Sequence, residues 1–209
     1  MDAVVMCGGQ GTRLESSREK PLYPIDGVAM IDRVVAALAE SDLGNVSAAV
    51  SPNAPETRTH LDADDRVRTI ETAGDGYVAD LQAVLDRPAI DPPILTAAAD
   101  LPLLTASVVD HVLDRYAAVI EGGAGTAAPS AGTPSLTVSV PVALKRRLGA
   151  SVDSRLEPEP HLAPTGINVV GSTDESMIHI AYDPRLSVNV NRLEDADAAA
   201  SLLGGGATA

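Results

Sequence analysis

Short apolar runs rich in Val and Ile alternate along this chain with longer segments of helical period, and that alternation is the strongest constraint on what it can fold into. Residues 3–6, 46–50, 66–71, 136–140, 167–170, 177–182 and 186–190 read as strands. Ile31, Val34, Val35 and Leu38 stand at i, i+3, i+4 and i+7, one face of an amphipathic helix. Further helices are expected at about 77–85, through Val108, Val109, Val112 and Leu113, and over 193–203. Residues 94–99 (ILTAAA) are mostly apolar without alternation, which suits a strand buried on both faces as in a parallel sheet. The pattern predicts an α/β protein with a mostly parallel central sheet and helices on both faces. Neither a repeat nor an interdomain linker interrupts it, so residues 1–203 read as a single domain. Gly204, Gly205 and Gly206 stop the last helix and leave 204–209 as a flexible tail.

The 209 residues are 45% hydrophobic, enough for a sizeable core. That core must be aliphatic, since Phe and Trp are absent. The formal charge of −14 excludes a partner that needs a broad cationic face, such as a nucleic acid or an anionic membrane. Acidic residues are scattered (Asp62, Asp64, Asp65, Asp86, Asp91, Asp110, Asp114), so the excess is a property of the whole surface and suits a salty, halophilic cytoplasm. Cys7 is the only cysteine, which excludes an intrachain disulfide and a multi-cysteine metal site. His60, His111, His161 and His179 share no ligand spacing. The start has no signal-peptide character and no run reaches the roughly 18 apolar residues of a membrane span. A reduced, cytoplasmic protein without a membrane span is expected. Its oligomeric state stays open, a homodimer included.

The first strand runs directly into Cys7-Gly8-Gly9-Gln10-Gly11-Thr12-Arg13-Leu14, followed by Glu19-Lys20-Pro21-Leu22. Glycines in such a turn let backbone N–H groups approach phosphate oxygens that a Cβ would hold away. Three glycines alone would equally serve an ordinary βα turn. Arg13, Arg18 and Lys20 within eight residues tip the reading toward phosphate, because a polyanion that binds a nucleoside triphosphate must cancel repulsion locally. The segment fits neither G-x-G-x-x-G nor G-x-x-x-x-G-K-[ST].

Gly8-Gly9-Gln10-Gly11-Thr12-Arg13-Leu14 with Glu19-Lys20-Pro21-Leu22 resembles the G-G-x-G-T-R and E-K-P-L signature of nucleotidyltransferases, the group of molybdenum-cofactor guanylyltransferases and sugar-nucleotide pyrophosphorylases. Ser51-Pro52-Asn53, Thr72-Ala73-Gly74-Asp75-Gly76-Tyr77 with Asp80-Leu81, Pro164-Thr165-Gly166-Ile167-Asn168-Val169-Val170 and Asn189-Val190-Asn191 fall in the order of the archaeal adenosylcobinamide-phosphate guanylyltransferase family. The resemblance spans about residues 1–203. It implies a Rossmann-like nucleotidyltransferase fold and transfer of GMP from GTP to adenosylcobinamide phosphate with loss of pyrophosphate, a step in assembling the cobalamin nucleotide loop. A molybdopterin or sugar-phosphate acceptor would use the same opening motif. A noncatalytic GTP-binding regulator would keep the glycines without needing Asp100 and Lys20 together.

Under this resemblance Arg13, Lys20 and Asp100 are the catalytic candidates, and Gly8, Gly9, Gly11, Thr12, Arg13, Lys20, Asn53, Gly74 and Gly76 the GTP-binding ones. Asp100 ends a buried-type strand, at the carboxyl edge where open α/β sheets bind ligands, and resembles the family's Mg²⁺-binding aspartate. Asn191, with Asn189 as the other choice, is its expected neighbour at the metal. Competing readings remain, a helix N-cap for Asp100 and plain turn roles for the asparagines and for the Ser51-Pro52-Asn53 and Gly74-Asp75-Gly76 segments. Asp80, Gly166 and Asn168 are placed on the acceptor side, below the polar loop at 151–164. Lys145, Arg146 and Arg147 end a short helix, where a role toward the acceptor phosphate competes with the commoner one of serving the helix dipole.

Overall fold

The computed structural model of the chain describes residues 1–8, 14, 16–122 and 132–205. Among these residues seven strands form one sheet, in the order β5-β4-β1-β6-β8-β7-β9, and two more form a small hairpin. The order of elements is β1 (Asp2–Met6), the hairpin strands β2 (Pro24–Ile25) and β3 (Val28–Ala29), α1 (Met30–Ala39), β4 (Val46–Val50), α2 (Pro55–Leu61), β5 (Arg68–Glu71), α3 (Tyr77–Leu85) and β6 (Ile94–Ala98). There follow α4 (Ala106–Gly122), β7 (Ser135–Pro141), α5 (Val142–Arg147), β8 (Leu162–Val170), β9 (Ser176–Ile180) and α6 (Leu193–Gly205). β5, β4, β1 and β6 are parallel neighbours. β8 lies antiparallel to both β6 and β7, and β9 runs parallel to β7. The expected α/β architecture is therefore found.

Side-chain alternation along β1 explains why helices cover both faces. Ala3, Val5 and Cys7 join the cluster built with Ile31, Val34 and Leu38 of α1 and Val108, Val109 and Val112 of α4. Val4 and Met6 point to the other face, into a cluster with Ala49, Ile70, Ile94 and Val84 of α3. A strand that feeds two cores has no polar side to offer, and β4 is accordingly buried at all five positions. A third cluster joins Leu14, Ile25, Met30, Leu103, Val188, Val190, Ala196 and Ala199.

The second half departs from expectation in three places. Residues 186–190 do not form a strand. A 3₁₀ turn occupies Pro184–Leu186, and the rest runs without ladder pairing, its Val190 N–H bonded to the Asp100 carbonyl at 3.0 Å. Val188 and Val190 gave that stretch a strand's alternation, yet they bury beneath the site rather than on a sheet face. β8 begins at Leu162, five residues before the expected strand, so Leu162, Ala163 and Pro164 belong to the sheet and not to the loop, and Thr165 and Gly166 are part of the strand as well. α6 runs to Gly205, two residues past its expected end at Leu203, and 206–209 lie outside the described residues. No described helix is long and apolar enough to cross a membrane.

Candidate active site

From β1 the chain proceeds outward to β4 and β5 and then returns to place β6 on the other side of β1, so strand order reverses between β1 and β6. Open α/β sheets bind ligands at the carboxyl ends of strands flanking such a reversal. Cys7 and Gly8 follow β1 there, and Ala99 and Asp100 follow β6. A small cavity of about 110 Å³ between them is lined by Met6, Cys7, Lys20, Pro21, Ala98, Ala99 and Asp100.

Lys20 is the centre of the polar contacts at this point. Its Nζ donates to Asp100 Oδ2 at 2.6 Å and to Asn191 Oδ1 at 2.7 Å. The Lys20 and Asp100 side chains are only 17% and 16% exposed, so water screens the pair weakly. The 3₁₀ turn Lys20–Leu22 carries the lysine, and Glu19 anchors that turn by accepting from the N–H groups of Glu56 and Thr57 at 2.8 and 2.7 Å. Those are free amides of the first turn of α2, which a carboxylate both satisfies and stabilises through the dipole. Asp100 is not a helix cap, because α4 begins only at Ala106 with Thr105 in the preceding position.

Asn189 extends the network. Its Nδ2 donates to Asp100 Oδ1 at 3.2 Å and to the Thr165 carbonyl at 2.8 Å, which turns its Oδ1 toward Lys145 Nζ at 3.0 Å. Behind it lies Asp195, fully buried, which accepts four hydrogen bonds, from Ser151 N (2.6 Å) and Ser151 Oγ, Asn191 N and Arg192 N (2.9 Å each). One carboxylate thus fixes the 189–192 turn and ties it to the chain leaving α5.

Gly166 and Asn168, two of the three residues expected on the acceptor side, line a cavity of about 480 Å³ together with Asp100, Lys145, Asn189 and Asn191. Gly166 occupies a bulge. Thr137 pairs with Asn168 and Ser139 with Pro164, so residues 165–167 of β8 stand opposite Val138 alone. Its φ of +87° is in the region that favours glycine, and an added Cβ would lie 2.9 Å from Ala98 Cβ and 3.1 Å from Asn189 Nδ2. A larger cavity of about 1030 Å³ lies between α4, β9 and α6, with Val108, His111, His179 and Leu202 in its wall, and shares no residue with this network.

Asp80 was expected among the acceptor-side residues and is found elsewhere. It is buried beside the glycine turn, where its Oδ1 accepts from Gly74 N at 2.9 Å and its Oδ2 has no partner among the described residues. A Cβ on Gly8 would come within 2.8 Å of that Oδ2, so Asp80 lies against the end of β1. The reason is positional: Asp80 is the buried residue in the first turn of α3, which points it under β1 and not across β6. Gly74 sits against Ser51 and Asn53, while Gly76 precedes α3. Gly9, Gly11, Thr12 and Arg13 lie outside the described residues. Cys7 is buried and its thiol is pushed up to about 12 by desolvation, so it stays neutral and does not serve as a nucleophile. Among the described residues no group of three or more His, Cys, Asp or Glu is gathered as for a metal.

Reasoning from sequence gave Lys145 only as one member of a cationic cluster, without separating it from Arg146 and Arg147, and missed Asp195. All three cations stand in the last turn of the helix, but Lys145 is buried while Arg146 and Arg147 are exposed. The signal that could have separated it was rarity, since Lys20 and Lys145 are the chain's only lysines. Asp195 carried none.

A lysine–aspartate pair beside the end of β1, at the reversal of a mostly parallel sheet and next to a second polar cavity, fits a nucleotidyltransferase. Residues 3–164 match the model of the MobA-like NTP transferase domain, and the chain belongs to that family. It is 30% identical over 212 residues to the adenosylcobinamide-phosphate guanylyltransferase of Methanocaldococcus jannaschii, covering 97% of each chain. It is also 33% identical over 115 residues to the bifunctional protein GlmU of Listeria innocua, a match that takes in 54% of this chain and 25% of that protein. Among solved structures, a CMP:2-keto-3-deoxy-manno-octonic acid synthetase complexed with CTP superposes with a TM-score of 0.62 at 14% identity, covering 99% of this chain and 98% of that one. A hypothetical transferase of Thermus thermophilus gives 0.61 at 17% identity, covering 93% and 98%.

Proposed function

We propose that the protein transfers GMP from GTP to adenosylcobinamide phosphate, giving adenosylcobinamide-GDP and pyrophosphate. The observation that carries the acceptor is that similarity to the M. jannaschii guanylyltransferase runs along 97% of both chains. An oxygen of the acceptor phosphate attacks the α-phosphorus of GTP in line, the bond to the β-phosphate oxygen breaks, and pyrophosphate leaves. Such a reaction asks the protein mainly to position two phosphates and to neutralise charge as it moves onto the leaving group.

Lys20 supplies a compact cation at the end of β1, and Gly8, Gly9, Gly11 and Arg13 are the residues assigned to the triphosphate on the resemblance of their motif. Asn53, Gly74, Gly76 and Thr12 belong to the same nucleotide side, with Asp80 beneath it. Asp100 and Asn191 fit Mg²⁺. They are hard oxygen donors, they already share one cation, the Lys20 ammonium, and Mg²⁺ commonly takes one or two protein oxygens and fills its shell with phosphate and water. When bound, the metal supplies charge that offsets the repulsion between the two phosphates. Gly166 and Asn168 face the acceptor.

The test is to incubate the protein with Mg²⁺ and labelled GTP in molar KCl, offering adenosylcobinamide phosphate, molybdopterin or a sugar phosphate in turn, and to follow pyrophosphate release. Turnover with the corrinoid is expected. Turnover only with another acceptor would replace the substrate assignment, and GTP binding without any transfer would favour a regulator.

A further inference from the structure

The chain's only two lysines both end in the network around Asp100, whereas its thirteen other cationic residues are arginines. We propose that Lys145 is the acceptor's phosphate-binding residue, the counterpart on that side of the cleft to Lys20 on the nucleotide side. The proposal rests on the reading above insofar as the acceptor carries a phosphate.

Lys145 is 4% exposed and lines the 480 Å³ cavity together with Gly166, Asn168 and Asn189. Its ammonium has three protons to donate, and among the described residues it spends one, on Asn189 Oδ1. The amide cannot be turned to offer more, because both of its own N–H groups are committed to Asp100 and Thr165.

The nearby carboxylates do not take up the remaining donors. Asp100 faces Lys20 with one oxygen and Asn189 with the other. Asp195 spends both oxygens on Ser151, Asn191 and Arg192. Asp153 accepts from Arg192 at 2.7 Å. A buried ammonium without a carboxylate in contact is costly, and burial indeed lowers the Lys145 pKa even though Asp195, Asp100 and Asp153 pull it the other way. A lysine kept only for packing would do better as methionine. An ammonium with two donors aimed into a cavity beside the reaction centre instead fits a phosphate monoester, whose oxygens are strong acceptors. It also answers the electrostatic problem of bringing that anion up to a triphosphate in a protein of charge −14.

The experiment compares wild type with Lys145→Met and Lys145→Gln in steady-state kinetics, thermal melting and equilibrium titration. Both variants are expected to raise KM for adenosylcobinamide phosphate about 10- to 100-fold, the loss of a hydrogen-bonded charge partner. KM for GTP should stay within about twofold, and affinity for adenosylcobinamide, which lacks the phosphate, should not change. Lys145→Met should melt no lower than wild type, since it removes a buried charge. An unchanged KM for the phosphorylated acceptor in both variants overturns the proposal. So does a parallel loss for GTP and acceptor with a lowered melting temperature, which is the mark of a structural lysine. If wild type turns over a different phosphorylated acceptor, the corrinoid assignment falls and the same comparison on that acceptor decides Lys145. If it turns over none, both fall.

Discussion

The strands β5, β4, β1 and β6 lie parallel to one another, and the candidate site residues follow two or three positions past their ends: Gly8, Asn53, Gly74, Asp100. Beyond β6 the sheet turns antiparallel, and the candidate site residues come from the last turn of a short helix (Lys145), a bulge (Gly166) and an irregular turn (Asn189, Asn191). Each half sends one lysine toward the same aspartate. In the first half, position in a local strand–turn–helix unit puts a residue in the site. In the second, hydrogen bonds between segments far apart in sequence do so, above all those of Asp195.

The largest effect should come from the point where the halves meet. Lys20→Ala and Asp100→Ala are each expected to depress transfer at least ~10²-fold in a pyrophosphate-release assay, the scale of losing one transition-state charge partner. Near-wild-type rates in both would mean the chemistry lies elsewhere. Glycine substitutions then separate the halves kinetically. Gly8→Ala should raise KM for GTP by about 10-fold or more, because its methyl meets the Asp80 carboxylate. Gly166→Ala should weaken the acceptor chiefly, through Ala98 and Asn189, and an identical kinetic signature for both would erase the division.

A structural difference is expected as well. Asp195→Asn replaces an acceptor of four hydrogen bonds, three of them from backbone amides, at least one of which a carboxamide nitrogen cannot serve, and should cost about 3 kcal/mol. For a chain of this length that is roughly 6–12 °C in Tm. The acceptor KM should rise while the GTP KM moves less. An unchanged melting curve would show that the second half does not depend on this residue. Salt should act on both halves alike. The scattered acidic surface predicts a Tm that rises between low and molar KCl, and a flat response would sink the high-salt expectation. The smallest effect concerns Cys7, whose buried neutral thiol should leave the native enzyme active after iodoacetamide treatment; rapid inactivation would show that the strand end is open to solvent.

The same contrast governs what could be read from the sequence. β1, β4 and β6 were legible because a strand with two buried faces writes an apolar run into the chain, and Asp100 was legible because it stands where that run ends. The stretch at 186–190 was misread since burial against α6 and the hairpin produces the same alternation as a sheet face. Asp80 was sent to the wrong side because sequence gives its place on α3 but not which way the helix faces. Lys145 hid among arginines at a helix end. Asp195 looked like any acidic residue in a first helical turn, and its four partners come from segments that only the fold assembles.

Glu19 has a consequence for motion. It joins the turn that bears Lys20 to the opening amides of α2, and α2 packs on β4 and on β5, the outermost strand of the sheet. Border elements of a sheet open at lower free energy than its centre. Opening of that border would release the lysine's turn while the central strands stay folded. By linkage, nucleotide held on Lys20 would slow hydrogen exchange at the amides of Glu56 and Thr57, far from any phosphate, making the rim of the sheet a reporter of occupancy at its middle.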